Sequence, residues 1–441
     1  MSILFYARVF LSLAVPCGLG YLILGKVIKA RPSILLAAAT AYPLGISAIT
    51  FCLLLLGWTH ASFFYVFILI GLAGCYGAIT AERRDLHSKK IFSRLTPWES
   101  FLLALICLFI LYAFWQASYY PIYAYDALAV EAFKAKVFFY DQDLNKLPGI
   151  IHSSFPLQIP LIMTWANLCI TRWSDRVPQM QFPLLFISLI GLHLYILRHL
   201  AGRTWALIGG LALCASPLVM THAAIPYRDL WMLYINSAAL GFLIIWMKHD
   251  KAPAPLLLAF IFAGIGTCVK LEGLAYLLVF IGALQYISRN TTTPFTPRNV
   301  VNALTALILT AAPFMLFKLS QGIPFNEKAV IDLSMSKLSL IPVALQKFVH
   351  EMFLSGNWNV IWAICAAVSI MEWKKVMQLR EIKILAGALG LYLSVHLLTV
   401  LLTNNAHDLL HPDTLSRIFI HFYFIPLWIS VVLLKDKRFI A

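Results

Sequence analysis

The chain has 441 residues, 61% of them hydrophobic and only 12% charged, with a net charge of +15 and a mean hydropathy of +0.83. A soluble domain carries about 25% charged residues, so a soluble globular enzyme is excluded, and a basic nucleic-acid-binding face is a poor account of cations that sit in short segments between apolar runs. The eight cysteines (17, 52, 75, 107, 169, 214, 268 and 365) lie in or beside those runs with no CxxC pair, so they read as small hydrophobes, neither disulfides nor metal ligands.

Apolar runs of about 20 residues recur along the whole length, as a helix needs to cross a hydrocarbon core about 30 Å thick. Backbone polar groups have no water partner there, which leaves helices or closed barrels, and the alternation of a barrel strand is absent. The expected fold class is therefore an all-α polytopic membrane protein. Its spans are expected at residues 3–25, 33–57, 61–81, 98–118, 177–197, 205–221, 230–247, 254–269, 271–288, 300–317, 357–372, 382–402 and 418–434, about 13 in all. The first run is too long for a signal peptide and lacks its small-residue cleavage site, so it is read as a span.

Orientation follows from the basic residues, because loops rich in Lys and Arg stay in the cytoplasm. Alternate short loops hold most of the 34 Lys and Arg residues. Examples are Lys26, Lys29 and Arg31 after the first run, Arg83, Arg84, Lys89, Lys90 and Arg94 after the third, and Lys374, Lys375, Arg380 and Lys383 around the start of the twelfth. Most of the 19 acidic residues fall on the other side. Residues 155–172, FPLQIPLIMTWANLCITR, are apolar enough to cross but would reverse every later loop; two prolines, Gln158 and Asn167 favour a juxtamembrane helix lying in the outer interface. Outer segments are then 119–176, 222–229, 318–356 and 403–417.

Several ionisable residues stand at the outer ends of these runs, where their cost marks them as functional candidates. Asp126 ends the aromatic stretch YYPIYAY and opens DALAVEAFKAKVFFY, which carries Glu131, Lys134 and Lys136. An N-cap for Asp126, snorkelling lysines and an interfacial aromatic belt are the plain structural readings. Asp229 follows Tyr227 and Arg228 in a very short turn, Lys270 and Glu272 interrupt CVKLEGLAYLLVF, and Arg417 opens the last run. His152, His222, His407 and His411 are outer histidines without zinc-ligand spacing, read as hydrogen-bonding loop residues. Residues 318–356, with Asn326, Glu327, Asp332 and an amphipathic stretch at 340–354, are read as a mobile acceptor-side loop.

In this order the segments resemble the GT-C membrane glycosyltransferases that use polyprenyl-phosphate-linked sugars, the superfamily of protein O-mannosyltransferases and lipid A aminoarabinose transferases. The resemblance rests on Tyr125-Asp126-Ala127-Leu128-Ala129 with Lys134 and Lys136, on His152 with Phe155-Pro156-Leu157 and Pro160-Leu161, on Tyr227-Arg228-Asp229-Leu230, and on Lys270-Leu271-Glu272-Gly273-Leu274. Relatives more often read Y-A-D-L-P where this chain has PYRDL. It covers residues 98–290 best and implies a GT-C-like catalytic transmembrane domain at 98–441, preceded at 1–97 by three extra N-terminal spans. The chain ends KDKRFIA after the last run, so no soluble domain is expected and the outer loops are assigned acceptor recognition.

The resemblance implies inverting transfer of a sugar from a polyprenyl-phosphate carrier to an acceptor hydroxyl on a glycan, lipid or protein, at the outer face of a bacterial inner membrane, with membrane lipids and no nucleic acid as other partners. Asp126 matches the family's first-loop aspartate and is the implied base; Asp229 is the second catalytic carboxylate. Lys134, Lys136, His152, Arg228, Lys270, Glu272 and Arg417 are the implied substrate- and lipid-phosphate-binding set. Mg²⁺ or Mn²⁺ is open as a cofactor, but two carboxylates from separate loops are few for an octahedral site, and no obligate metal is expected. A transporter or flippase is the reading from another class, against which stand the lack of an internal repeat and the clustering of ionisable residues at one face. A structural subunit without activity is the third.

Overall fold

The computed structural model describes residues 3–79, 95–248, 253–290, 296–324, 332, 334–404 and 406–435, and among them the chain is helical with no β-sheet. The first four helices are α1 (Ile3–Ile28), α2 (Ile34–Trp58), α3 (Tyr65–Ile79) and α4 (Pro97–Tyr119). A π-helical turn, Asp126–Ala132, leads into α5 (Phe133–Asp141), followed by α6 (Gln158–Ile170), α7 (Arg176–Gln179) and α8 (Gln181–Ala201). Next come α9 (Arg203–Cys214), α10 (Pro217–His222), α11 (Arg228–Lys248), α12 (Pro253–Val269), α13 (Glu272–Asn290) and α14 (Pro297–Ser320). The last are α15 (Leu340–Leu354), α16 (Ile361–Met371), α17 (Trp373–Gln378), α18 (Arg380–Leu402), α19 (Ala406–Leu409), α20 (Pro412–Phe419) and α21 (Phe424–Leu434).

Each expected span overlaps helix within the described residues, although α13, where 271–288 was expected, is not among the helices apolar enough to count as a candidate span. Seven stretches are long and apolar enough to cross alone: α1, α2, α4, α7–α8, α11, α14 and α18. The bent pair α20–α21 makes eight, and α3, α9, α12 and α16 are shorter apolar helices. The expected run 205–221 is interrupted: α9 stops at Cys214 and α10 restarts at Pro217, because proline cannot continue the helix hydrogen bonds but is at home in a first turn. The expected run 418–434 is also broken, bending by 46° between α20 and α21.

Helix starts follow their sequence signals. Thr96 accepts from the Glu99 N–H at 3.2 Å and Glu99 Oε2 accepts from the Thr96 N–H at 3.0 Å, with Pro97 in the first turn, a reciprocal cap for α4. Glu99 Oε1 also accepts from Arg203 Nε at 2.8 Å, tying α4 to α9 at the end that the charge pattern assigns to the cytoplasm.

Residues 1–97 do not stand apart from the rest. The Tyr42 hydroxyl donates to Gln181 Oε1 at 3.2 Å, and the Tyr234 hydroxyl donates to the Ala39 carbonyl at 2.8 Å, so α2 packs into the same core as α8 and α11. α1 meets α2 at Gly20 and Gly45. A Cβ on Gly20 would lie 1.7 Å from the Ala41 carbonyl oxygen, and one on Gly45 1.8 Å from that of Pro16. Small residues at such a crossing let two backbones touch inside a membrane. Gly20→Leu is expected to lower the detergent-solubilised protein's melting temperature by an amount corresponding to ~1–3 kcal/mol or more of overpacking. Gly18→Leu, with nothing within 4 Å of its Cβ position, should melt with the unaltered chain.

α6 occupies the segment expected to be juxtamembrane. Its 13 residues reach about 20 Å at 1.5 Å per residue, and it ranks with α3, α9, α12 and α16 among the shorter apolar helices. It is also enclosed by protein: all of it but Cys169 is buried, against α1, α2 and α5. Gln158 donates to Ser47 Oγ at 3.1 Å and accepts from Thr50 Oγ1 at 2.9 Å, and Asn167 Oδ1 accepts from the Ser174 N–H at 2.8 Å. The polar residues that argued against crossing are met by protein partners.

In the segment 318–356, α15 forms where the amphipathic stretch was expected. Asn326 and Glu327 lie outside the described residues, as do Arg83, Arg84, Lys89, Lys90 and Arg94.

Candidate functional site

Asp229 sits in the first turn of α11 and is fully buried, at the helix end whose free N–H groups favour a carboxylate. Four elements supply its partners. Lys270, in the two-residue link between α12 and α13, donates to Oδ1 at 3.0 Å, and His421 Nε2 is 2.9 Å from the same oxygen. Arg417 Nε on α20 donates to Oδ2 at 2.9 Å, and His222 Nε2 at the end of α10 stands 3.6 Å from it. Both oxygens are taken, so Asp229 can act on a ligand only through the groups it holds. His421 lies in the short turn Ile420–Phe422 at the break between α20 and α21. Behind it the Tyr276 hydroxyl lies 2.9 Å from His421 Nδ1 and 2.9 Å from His396 Nε2, all inside the core.

Arg417 is the joint. Its Nη1 donates to Asp126 Oδ2 at 2.5 Å while Nε holds Asp229, and its guanidinium covers the Tyr227 ring at 4.5 Å. Burial pushes the Tyr227 phenol above its usual range, against the pull of Arg417. The π turn places Asp126: its i→i+5 bonding brings residues five apart toward one face. Asp126 thereby reaches Arg417 and Glu131 reaches Arg228. Asp126 keeps 40% of its side chain exposed, whereas Asp229 has none.

A second group of cations gathers around Glu131 and the 152–155 loop. Arg228 pairs with Glu131 and packs over the Phe155 ring at 4.5 Å. Burial pushes the Glu131 carboxyl above the usual range, outweighing the nearby Arg228 and Lys134. Lys134 is fully buried and donates to the His152 carbonyl, and Lys318 donates to the Ser154 carbonyl at 2.9 Å. His152 itself stacks on Phe155 in a left-handed turn with φ of 57°.

Asp126, Asp229, Lys270, Glu272 and Arg417 thus meet in one cluster, Glu272 through Lys270 at 3.3 Å, and Arg228, Lys134 and His152 form the adjoining one. Lys136 is apart, exposed beside the Trp173 ring. Residues the sequence reading did not single out are His421, Tyr276, His396 and Lys318. His421 had a legible signal, standing one helical turn after Arg417; Tyr276 and His396 are single polar residues in apolar runs and had none. Of the other histidines expected on the outer side, His222 joins the cluster, while His407 and His411 pair with exposed Asp408 and Asp413. A divalent cation does not fit between Asp126 and Asp229 as arranged, because Arg417 already occupies the space between them and Lys270 adds a second cation. No group of three or more His, Cys, Asp or Glu side chains converges elsewhere among the described residues.

No family model matches the sequence, and no curated protein matches it. Among solved structures, the chain is similar to crystal structures of the Archaeoglobus fulgidus oligosaccharyltransferase. The apo form is 10% identical with a TM-score of 0.41, over 80% of this chain and 51% of that one. The complex with Zn and sulfate is 11% identical with a TM-score of 0.38, over 77% and 48%. The chain spans about half the length of the archaeal protein to which it is similar.

Proposed function

We propose that the chain is an inverting GT-C-type glycosyltransferase that moves a sugar from a polyprenyl phosphate to an acceptor hydroxyl at the outer face of a bacterial inner membrane. The observation that carries this reading is Arg417 joining Asp126 and Asp229, two aspartates from separate outer segments that the family resemblance had paired.

The chemistry follows from the arrangement. The acceptor oxygen attacks the anomeric carbon as the bond from that carbon to the lipid phosphate oxygen breaks, and the acceptor proton passes to a carboxylate within hydrogen-bond reach. Asp126 is that base: Arg417 fixes Oδ2, which leaves Oδ1 for the hydroxyl. The departing polyprenyl phosphate gains negative charge that preorganised cations stabilise. Arg417 and Lys270 stand at the two aspartates, and Arg228 and Lys134 stand beside Glu131. Arginine suits a bidentate phosphate contact and lysine a point charge. Asp229 is a positioning residue, holding Arg417, Lys270 and His421 in one geometry.

The test uses purified protein in liposomes with polyprenyl-phosphate hexoses and pentoses labelled in the sugar. The expected result is release of unlabelled polyprenyl phosphate with the label on an added glycan, lipid or peptide hydroxyl, or on water. Label that crosses the bilayer still joined to its lipid would instead establish a flippase and overturn the reading.

A further inference from the structure

A groove of about 430 Å³ runs between α1, α2, α6, α12 and α14. Its walls are apolar side chains such as Ile23, Leu44, Phe51, Ile265, Leu309 and Phe314. The few polar groups along it are already bonded: Ser47, Thr50 and Gln158 to one another, and Thr310 to the Ala306 carbonyl. Water needs two to four polar partners to settle in such a space and finds few. α2 and α14 are both long and apolar enough to cross a membrane, and Leu309 on the lip is 62% exposed. The mouth therefore opens sideways, toward hydrocarbon.

Charged groups lie just behind the wall of the groove at Phe314, Leu157 and Gln158. One helical turn beyond Phe314 stands buried Lys318, with Nζ 5.7 Å from the Phe314 ring centre and 2.9 Å from the Ser154 carbonyl oxygen. The same loop, residues 152–157, receives Lys134 at His152 and Arg228 at Phe155. Three buried cations thus meet at this loop beside the carboxylate of Glu131, and Arg228 Nε is buried without a hydrogen-bond partner. A group of this sign beside an apolar slot complements a lipid whose head is a phosphate.

We infer that the groove holds the hydrocarbon tail of the polyprenyl-phosphate donor, with α1 and α2 as one wall of that tail site. This assigns a role to N-terminal helices for which the family resemblance offers none, and it rests on the donor class proposed above. Binding is read by native mass spectrometry of the full chain in detergent, titrated with undecaprenyl phosphate, undecaprenol and dioleoyl phosphatidylglycerol. The expected result is preferential binding of undecaprenyl phosphate, weakened at least tenfold by Ala48→Trp or Ala306→Trp, which fill the groove from opposite walls. Ile308→Trp, on the lipid-facing side of α14 and 60% exposed, should bind as the unaltered chain does.

Undiminished binding in both filled variants, each melting normally, would overturn the inference, as would equal binding of phosphatidylglycerol, which would mark a bilayer-lipid site only. Equal binding of undecaprenol would remove the phosphate end. Because binding is read without turnover, the two readings fail separately. Transfer that persists in the filled variants sinks the groove and leaves the reaction; groove-dependent binding with no transfer by the unaltered chain sinks the reaction and leaves the lipid site.

Discussion

Asp126→Asn lowers sugar transfer by about two to four orders of magnitude, the usual contribution of a positioned base, while the protein folds and melts nearly as before. The two halves of this expectation have different physical sources. Asparagine keeps the size of the side chain and an oxygen that can accept from Arg417, but its amide cannot take the acceptor's proton. The stability cost is small because Asp126 is 40% exposed and its ion pair with Arg417 is partly open to water; pairs of that kind contribute about 0–1 kcal/mol. Arg417 also keeps its second anchor at Asp229. The measurement is transfer of labelled sugar beside a melting curve of the same preparation. Full transfer by a well-folded Asp126→Asn protein would remove Asp126 from the chemistry.

How much of this was legible in the sequence differs between the helices and the site. The apolar runs placed the helices well, since a length of about 20 apolar residues is a direct physical demand of the bilayer. They did not show that α2 lies in the same core as α8 and α11, because a helix that is apolar all round carries no mark of which neighbour covers it. The interior position of α6 was hidden for the same reason. Gln158 and Asn167 marked it as unusual among the apolar runs, yet the buried partners of Gln158, Ser47 and Thr50, lie on α2, over a hundred residues earlier.

Within the site, charged residues in apolar surroundings were conspicuous, so Asp229, Lys270 and Arg417 stood out singly. Their partnership did not. Arg417 and Asp126 are 291 residues apart in sequence, and no local pattern encodes a contact at that separation. The π turn at Asp126–Ala132 was equally unreadable, although it sets the directions of Asp126 and Glu131.

The sharpest consequence of enclosure concerns Asp229. Asp229→Asn is expected to destabilise the protein strongly, in contrast to the neighbouring change at Asp126, and to abolish transfer in whatever fraction folds. The carboxylate receives Lys270 on one oxygen and Arg417 on the other, with His421 beside the first. An amide has a single acceptor oxygen, so its NH₂ must turn toward either Lys270 or Arg417, both of them donors. The substitution also leaves two cations in an enclosed place without their shared counter-charge, and removing one partner of a buried pair costs about 3–5 kcal/mol. Arg417 would then swing toward solvent and take Asp126 out of register. A second change separates the fold from the chemistry: Asp229→Asn combined with Lys270→Met removes one stranded cation, so the pair should melt higher than Asp229→Asn alone, a coupling expected of groups in direct contact. Transfer should stay absent in the double variant, because the cation that Asp229 positioned is gone. If Asp229→Asn melts with the unaltered chain, the enclosed carboxylate is not what holds Arg417 and Lys270 in place. The positions of both cations would then need another cause, with His421, His222 and Glu272 as the nearest groups to examine.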